Sequence, residues 1–168
     1  MSTYRYKLTR SNLVTLQWPF KSTVNFIMLN PSTATETEDD PTIRRCMSFA
    51  SMWGYSDLVV TNLFAFRATD PAELKKQCVG LAHTVIDEHG DGTVNNKIIL
   101  DVAAASNKIV CAWGANGSIM ERGYYVSSML LRAGYELNVL QLTQKGHPAH
   151  PLYMPKKLRY QRWEGYKL

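Results

Sequence analysis

VNFIMLNPSTATETEDDP, residues 24 to 41, decides how the chain is read. Val24 to Leu29 is an apolar run containing β-branched and aromatic residues, too short for a helix of ordinary length and bounded by a turn signal at Asn30-Pro31, so it reads as a strand buried on both faces. A polar, carboxylate-rich loop follows, and Asp40-Pro41 supplies a helix cap with proline in the first turn. In open α/β sheets ligands bind beyond the carboxyl ends of the strands. Asn30, Ser32 and Thr33 are therefore candidate site residues, although Asn-Pro after a strand also starts ordinary turns.

Working outward, Tyr4 to Leu8 and Leu13 to Trp18 alternate polar and apolar about Arg10-Ser11-Asn12, which predicts an N-terminal β-hairpin within residues 1–20 at a sheet edge. Ile43, Met47, Ala50 and Met52-Trp53 recur at helical spacing after Pro41, and Gly54 can end that helix. Asp57 to Asn62 reads as a second buried strand, again ending in Asn. Asp70-Pro71 repeats the cap signal for a helix to about Cys78, and a further helix is expected over Asn95 to Ser106. Ile109 to Trp113 reads as a third strand, Gly114 to Gly117 as a turn, Ile119 to Arg132 as a helix, and Leu137 to Leu142 as a fourth strand. Alternating strands and helices predict a three-layer α/β/α domain over 24–152 with a four-stranded, mainly parallel sheet. Residues 153–168 form a basic, aromatic tail, and the whole is expected to be one domain.

The 168 residues are 45% hydrophobic and 20% charged, values of a globular chain and not of a disordered one. No apolar run approaches membrane-spanning length and MSTYRYKLTR lacks the apolar segment of a signal peptide, so a cytoplasmic protein without membrane association is expected. Cys46, Cys78 and Cys111 lie far apart, which predicts reduced thiols and neither zinc nor an iron–sulfur cluster. The net charge of +5 favours an anionic partner such as DNA or a nucleotide. Carboxylates gather at Glu36, Glu38, Asp39 and Asp40; a solvated acidic loop with an Asp cap accounts for them, and no metal or other cofactor is expected. Gly114 to Gly117 lacks the pattern of a phosphate loop, and neither Ser32 nor Ser118 has a local histidine that would make it a nucleophile.

The segments NPSTA, NLFAFRATDP, AWG and HPLY resemble those of a bacterial and phage family of uncharacterised proteins (DUF1643), and in their order they are similar to the motifs of the uracil-DNA glycosylase superfamily. That resemblance implies that Asn30, before Pro31, orients an attacking water. It implies that Asn62, after Thr61, reads an extruded base, and that Gly114 corresponds to the glycine closing a later strand. His147-Pro148-Ala149-His150-Pro151-Leu152 resembles the final HPSP-type loop with one extra residue, so either His147 or His150 is the counterpart that donates to the base. Ser32 and Ala149 stand where those enzymes carry Gly or Tyr and Ser.

On this reading Pro31, Ser32, Thr33, Asn62, Phe64, Arg67 and Gly114 form a base pocket, and Leu152 or Tyr153 fills the gap left in the stack. Lys156, Lys157 and Arg159 track the backbone. Arg67 meets a phosphate or pairs with Asp70. Tyr160 and Trp163 either stack bases or dock a final helix. Three functions fit: excision of a base from DNA by an Asn30-positioned water, non-catalytic binding of a nucleic acid, nucleotide or protein by the same fold, or hydrolysis or transfer on free nucleosides or nucleotides. The oligomeric state is not legible.

Overall fold

The computed structural model describes residues 5, 7–11, 13, 21–80 and 93–167, with the side chains at 71, 77–80 and 93 outside the description. Six strands, β1 (Lys7–Arg10), β2 (Thr23–Met28), β3 (Asp57–Asn62), β4 (Lys108–Cys111), β5 (Leu137–Val139) and β6 (Gln161–Trp163), form one sheet in the order β1-β3-β2-β4-β5-β6. The four inner strands run parallel, as the alternation of strands and helices predicts, while β1 and β6 pair antiparallel at the two edges. The sheet is thus mixed and six-stranded, and the expected four-stranded sheet is only its centre. The added strands cover edges of β3 and β5 that would otherwise present unpaired backbone.

Helices α1 (Pro41–Met52), α2 (Pro71–Gly80), α3 (Thr93–Ala104) and α4 (Arg122–Arg132) complete the core. Strand β2 is buried from Val24 to Met28 because each of its faces meets helices. Val24, Phe26 and Met28 pack with Ile43, Cys46, Phe49 and Ala50 of α1, whereas Ile27 and Leu29 join Leu74, Ile99, Val126 and Leu130 from the other three helices. Each fully buried Val, Ile, Leu or Phe side chain among these contributes about 1.5–3 kcal/mol by removal from water. Asp40 caps α1 by accepting the Ile43 N–H at 2.8 Å, and Pro41 occupies the first turn as expected. The thiols of Cys46 and Cys111 are both free and buried, and burial pushes both far above their usual pKa. The side chain of Cys78 and most of the expected strand Leu13–Trp18 lie outside the described residues.

Two expectations fail at the C-terminal half. The segment with Tyr160 and Trp163 is no helix: β6 lies beside β5 with Trp163 opposite Leu137, and Trp163 is buried against Trp113 at 5.8 Å between ring centroids. Tyr160 meets Trp53 edge-on at 4.9 Å, and Trp53 Nε1 donates to the Leu158 carbonyl at 3.0 Å, so these aromatics are packing and not a surface for stacking bases. The helix expected from Ile119 starts at Arg122, after a 3-10 helix over Ala115–Glu121. Ile119 is extended, and Met120 and Glu121 take left-handed φ values of 50° and 54°. The chain has to turn around the Trp113 indole, which lies against Gly117 and Gly123 and donates from Nε1 to the Tyr166 hydroxyl at 3.1 Å.

No helix among the described residues is long and apolar enough to cross a membrane. A Cβ on Gly117 would fall 2.0 Å from Trp113 Cδ1. Gly117→Ala is therefore expected to cost about 1–3 kcal/mol or more, read as a lowered urea midpoint at unchanged slope; an unshifted midpoint would contradict this packing.

Candidate functional site

Strand order reverses between β2 and β4: the chain leaves β2 for β3 on one side and leaves β4 for β5 on the other. Beyond the carboxyl ends of these strands lies a cleft of about 600 Å³ whose walls include Asn30, Ser32, Asn62, Gly114, His150 and Tyr153. This is where an open α/β sheet places a ligand.

Asn30 stands two residues past β2. Its Nδ2 donates to the carbonyls of Ala68 (2.8 Å), Pro31 (3.0 Å) and, longer, Phe66 (3.4 Å). Only the NH2 end of a carboxamide can face carbonyls, so the amide orientation is fixed, and Oδ1, with no donor among the described residues, is the acceptor left for the cleft. Asn62 ends β3 and is 1% exposed. Its Nδ2 is buried without a hydrogen-bond partner among the described residues, while its main-chain carbonyl accepts from Asn95 Nδ2 at 3.1 Å. The neighbouring Leu63 carbonyl accepts from Asn95 Nδ2 at 3.0 Å and from Arg122 Nε at 2.9 Å. An unpaired buried N–H2 donor costs about 1–3 kcal/mol. A ligand acceptor would recover that cost.

Gly114 adopts φ 75° and its N–H donates to the Pro148 carbonyl at 2.9 Å, tying the turn after β4 to the histidine loop. His150 Nδ1 accepts the Leu152 N–H at 3.3 Å, which places the proton of the neutral ring on Nε2. Burial lowers its pKa below 6.5, with nearby Asp40 opposing the shift. The ring is thus held neutral with one N–H donor available. Tyr153 stands 5.8 Å from it between centroids and is 78% exposed at the cleft rim.

His147, the alternative counterpart, is not among the cleft residues; its Nδ1 lies 3.2 Å from the Tyr166 hydroxyl. Phe64 is buried in the core, Pro31 is buried and Thr33 exposed, and none of the three lines the cleft. Arg67 donates to the Ser32 and Ala34 carbonyls at 2.8 and 3.0 Å, and Asp70 accepts the Ala72 N–H at the start of α2. Leu152, Lys156, Lys157 and Arg159 are exposed and do not line the cleft. Within the acidic loop Asp39 pairs with Arg10 at 2.7 Å, and no cluster of three potential metal ligands occurs among the described residues.

Sequence reading missed Arg5, which lines the cleft, and the wall contribution of Asp40, recognised only as a cap. It also missed Asn95 and Arg122, whose side chains hold the end of β3 from behind. A lone polar residue on a helix face carries no sign of a distant carbonyl.

An α/β protein with a cleft at its switch point, lined by apolar and a few polar side chains, is thereby defined. The family described as "Protein of unknown function (DUF1643)" matches residues 5–152, and the chain belongs to it. That span runs from Arg5 through the histidine loop. No curated protein and no solved structure is matched by the chain.

Because His150 is held neutral, the unfolded chain binds its proton more readily. Its contribution to stability is intact above pH 6.5 and is lost as pH falls from there toward the folded pKa. An NMR titration should give this ring a midpoint below 6.5. Urea melts should show a loss of stability on acidification that shrinks in His150→Gln; a midpoint at or above the ordinary value would contradict the burial.

Proposed function

We propose that the protein binds a nucleobase in this cleft, as part of DNA or of a nucleotide, and that in its enzymatic form it hydrolyses the N-glycosidic bond. The observation that carries the reading is that Asn62, whose buried Nδ2 has no hydrogen-bond partner among the described residues, and Asn30, whose amide is oriented by three carbonyls, line the same cleft. A nucleobase amide edge offers the matching acceptor and donor. The Nε2–H of neutral His150, a cleft residue, can donate to a base oxygen as negative charge develops there when the glycosidic bond breaks. Asn30 Oδ1 can hold a water by accepting its hydrogen, without itself taking a proton. The exposed Tyr153 at the cleft, with the exposed Lys156 and Lys157 following closely in the chain, suits an extruded base whose strand passes outside. The similarity of the motif order to the uracil-DNA glycosylases supports the same reading.

One observation favours binding without cleavage. The NH2 of Asn30 is already committed to three carbonyls, and no carboxylate stands at its position to activate water.

Base release and binding on duplex and single-stranded oligonucleotides carrying uracil, mismatched thymine, hypoxanthine or hypermodified bases separate the two. Asn62→Ala is expected to weaken binding by about tenfold or more, the worth of a charge-free donor plus pocket fit. Asn30→Ala is expected to abolish release. Salt-sensitive binding that needs Asn62 but gives no release establishes a binding module. Binding indifferent to Asn62 overturns the reading.

A further inference from the structure

Arg5 precedes β1, half-buried in the cleft wall, and carries the charge that the base-reading residues lack. One of its terminal nitrogens donates to the Ala34 carbonyl. Arg67 donates to that same carbonyl at 3.0 Å, so two guanidinium groups converge on a single backbone oxygen. Burial, then Arg67, lowers the Arg5 pKa to about 10, which leaves it cationic at neutral pH.

The nearby carboxylates do not complete the site. Asp40 spends its oxygens on the Ile43 N–H at 2.8 Å and the Ala34 N–H at 3.3 Å, and Asp39 faces Arg10 at 2.7 Å. Arg5 Nε is left buried without a hydrogen-bond partner among the described residues. Like charges held together beside a desolvated N–H form an environment that an anion stabilises, through Coulomb attraction and a charge-assisted hydrogen bond. The positive corner shares the cleft with Asn30, Asn62 and His150, and Asp40 is felt electrostatically by both Arg5 and His150.

We infer that Arg5 forms a phosphate subsite beside the base pocket, so that the ligand is a nucleobase carried together with a phosphate and not a free base or nucleoside. This rests on the base-binding reading of the same cleft. The phosphate is either the monoester of a free nucleotide or a backbone diester of DNA; the chemistry at Arg5 is common to both.

Calorimetric titration with deoxyuridine, thymidine and deoxyinosine, with their 5′-monophosphates, and with a single-stranded oligonucleotide tests it on the wild type, Arg5→Gln, Arg5→Lys and Asn62→Ala. Loss of one charge-assisted contact corresponds to about tenfold in affinity. If free nucleotides are the ligand, monophosphates bind about tenfold tighter than their nucleosides, and the advantage disappears in Arg5→Gln and partly returns in Arg5→Lys. If the phosphate belongs to DNA, the oligonucleotide binds tighter than any mononucleotide, its affinity falls about tenfold in Arg5→Gln, and the salt slope drops by about one.

Equal affinities in wild type and Arg5→Gln for every probe overturn the subsite. Should Arg5→Gln fail to fold, Arg5→Lys and competition by inorganic phosphate against the wild type decide: no change in either overturns it. Nucleoside binding lost in Asn62→Ala with Arg5→Gln inert defeats the subsite alone. Phosphate-dependent binding indifferent to Asn62 defeats the base reading alone.

Discussion

The loops that follow β2 and β3 are stitched together by reciprocal hydrogen bonds, and the cleft exists because they are. Asn30 donates into the carbonyls of the second loop, the Ala68 N–H returns a bond to the Pro31 carbonyl at 3.0 Å, and Arg67 donates back to Ser32 and Ala34. Leu63 and Phe64 continue the ladder by donating to Met28 and Leu29 at 2.8 and 3.0 Å. Loops leaving the same end of a parallel sheet carry many backbone groups with no strand to pair with, and burial makes each unpaired group costly. Here one loop satisfies the other. Asn30 and Asn62 thereby come to line the same cleft, one with its NH2 held by carbonyls and the other with a buried Nδ2 that has no hydrogen-bond partner among the described residues.

The far side of that wall is held by charge where apolar packing alone would serve a simpler fold. Arg122 is fully buried, with Nε on the Leu63 carbonyl and another nitrogen on Asn96 Oδ1, and Asn95 reaches the same strand end. Burying a guanidinium costs several kcal/mol unless its donors are met. Its return is directional: a carbonyl gripped from behind fixes the strand terminus that carries Asn62. The glycine-lined seat of Trp113 does the equivalent for the wall after β4, where Gly114 and the histidine loop meet.

What was legible in the sequence is what local chemistry determines. The apolar runs ending at Asn30 and Asn62 disclosed two adjacent parallel strands and their shared edge, and Asp40-Pro41 disclosed a helix start. Phe64 misled because a segment following a strand-terminal Asn reads as a loop, whereas its backbone still pairs with β2 and turns the ring inward. Tyr160 and Trp163 misled because a three-residue strand has too few positions for its period to show, and its pairing with β5 joins residues far apart in sequence. His147 and His150 could be separated only by the path of their loop, which sends one ring to Tyr166 and the other into the cleft. Arg5, Asn95 and Arg122 act on carbonyls tens of residues away, and no local pattern encodes that reach.

The most direct test of the cleft as a nucleobase site is a heteronuclear NMR titration that follows the side-chain amide signals of Asn30 and Asn62 and the His150 ring as deoxyuridine 5′-monophosphate, thymidine 5′-monophosphate and a uracil-containing oligonucleotide are added. The expected result is a saturable downfield shift of the Asn62 NH2 protons as the unpaired donor gains an acceptor, with the His150 ring responding at the same ligand concentration. Saturable binding that leaves Asn62 and His150 unmoved while signals elsewhere shift would place the site outside the cleft and contradict this assignment.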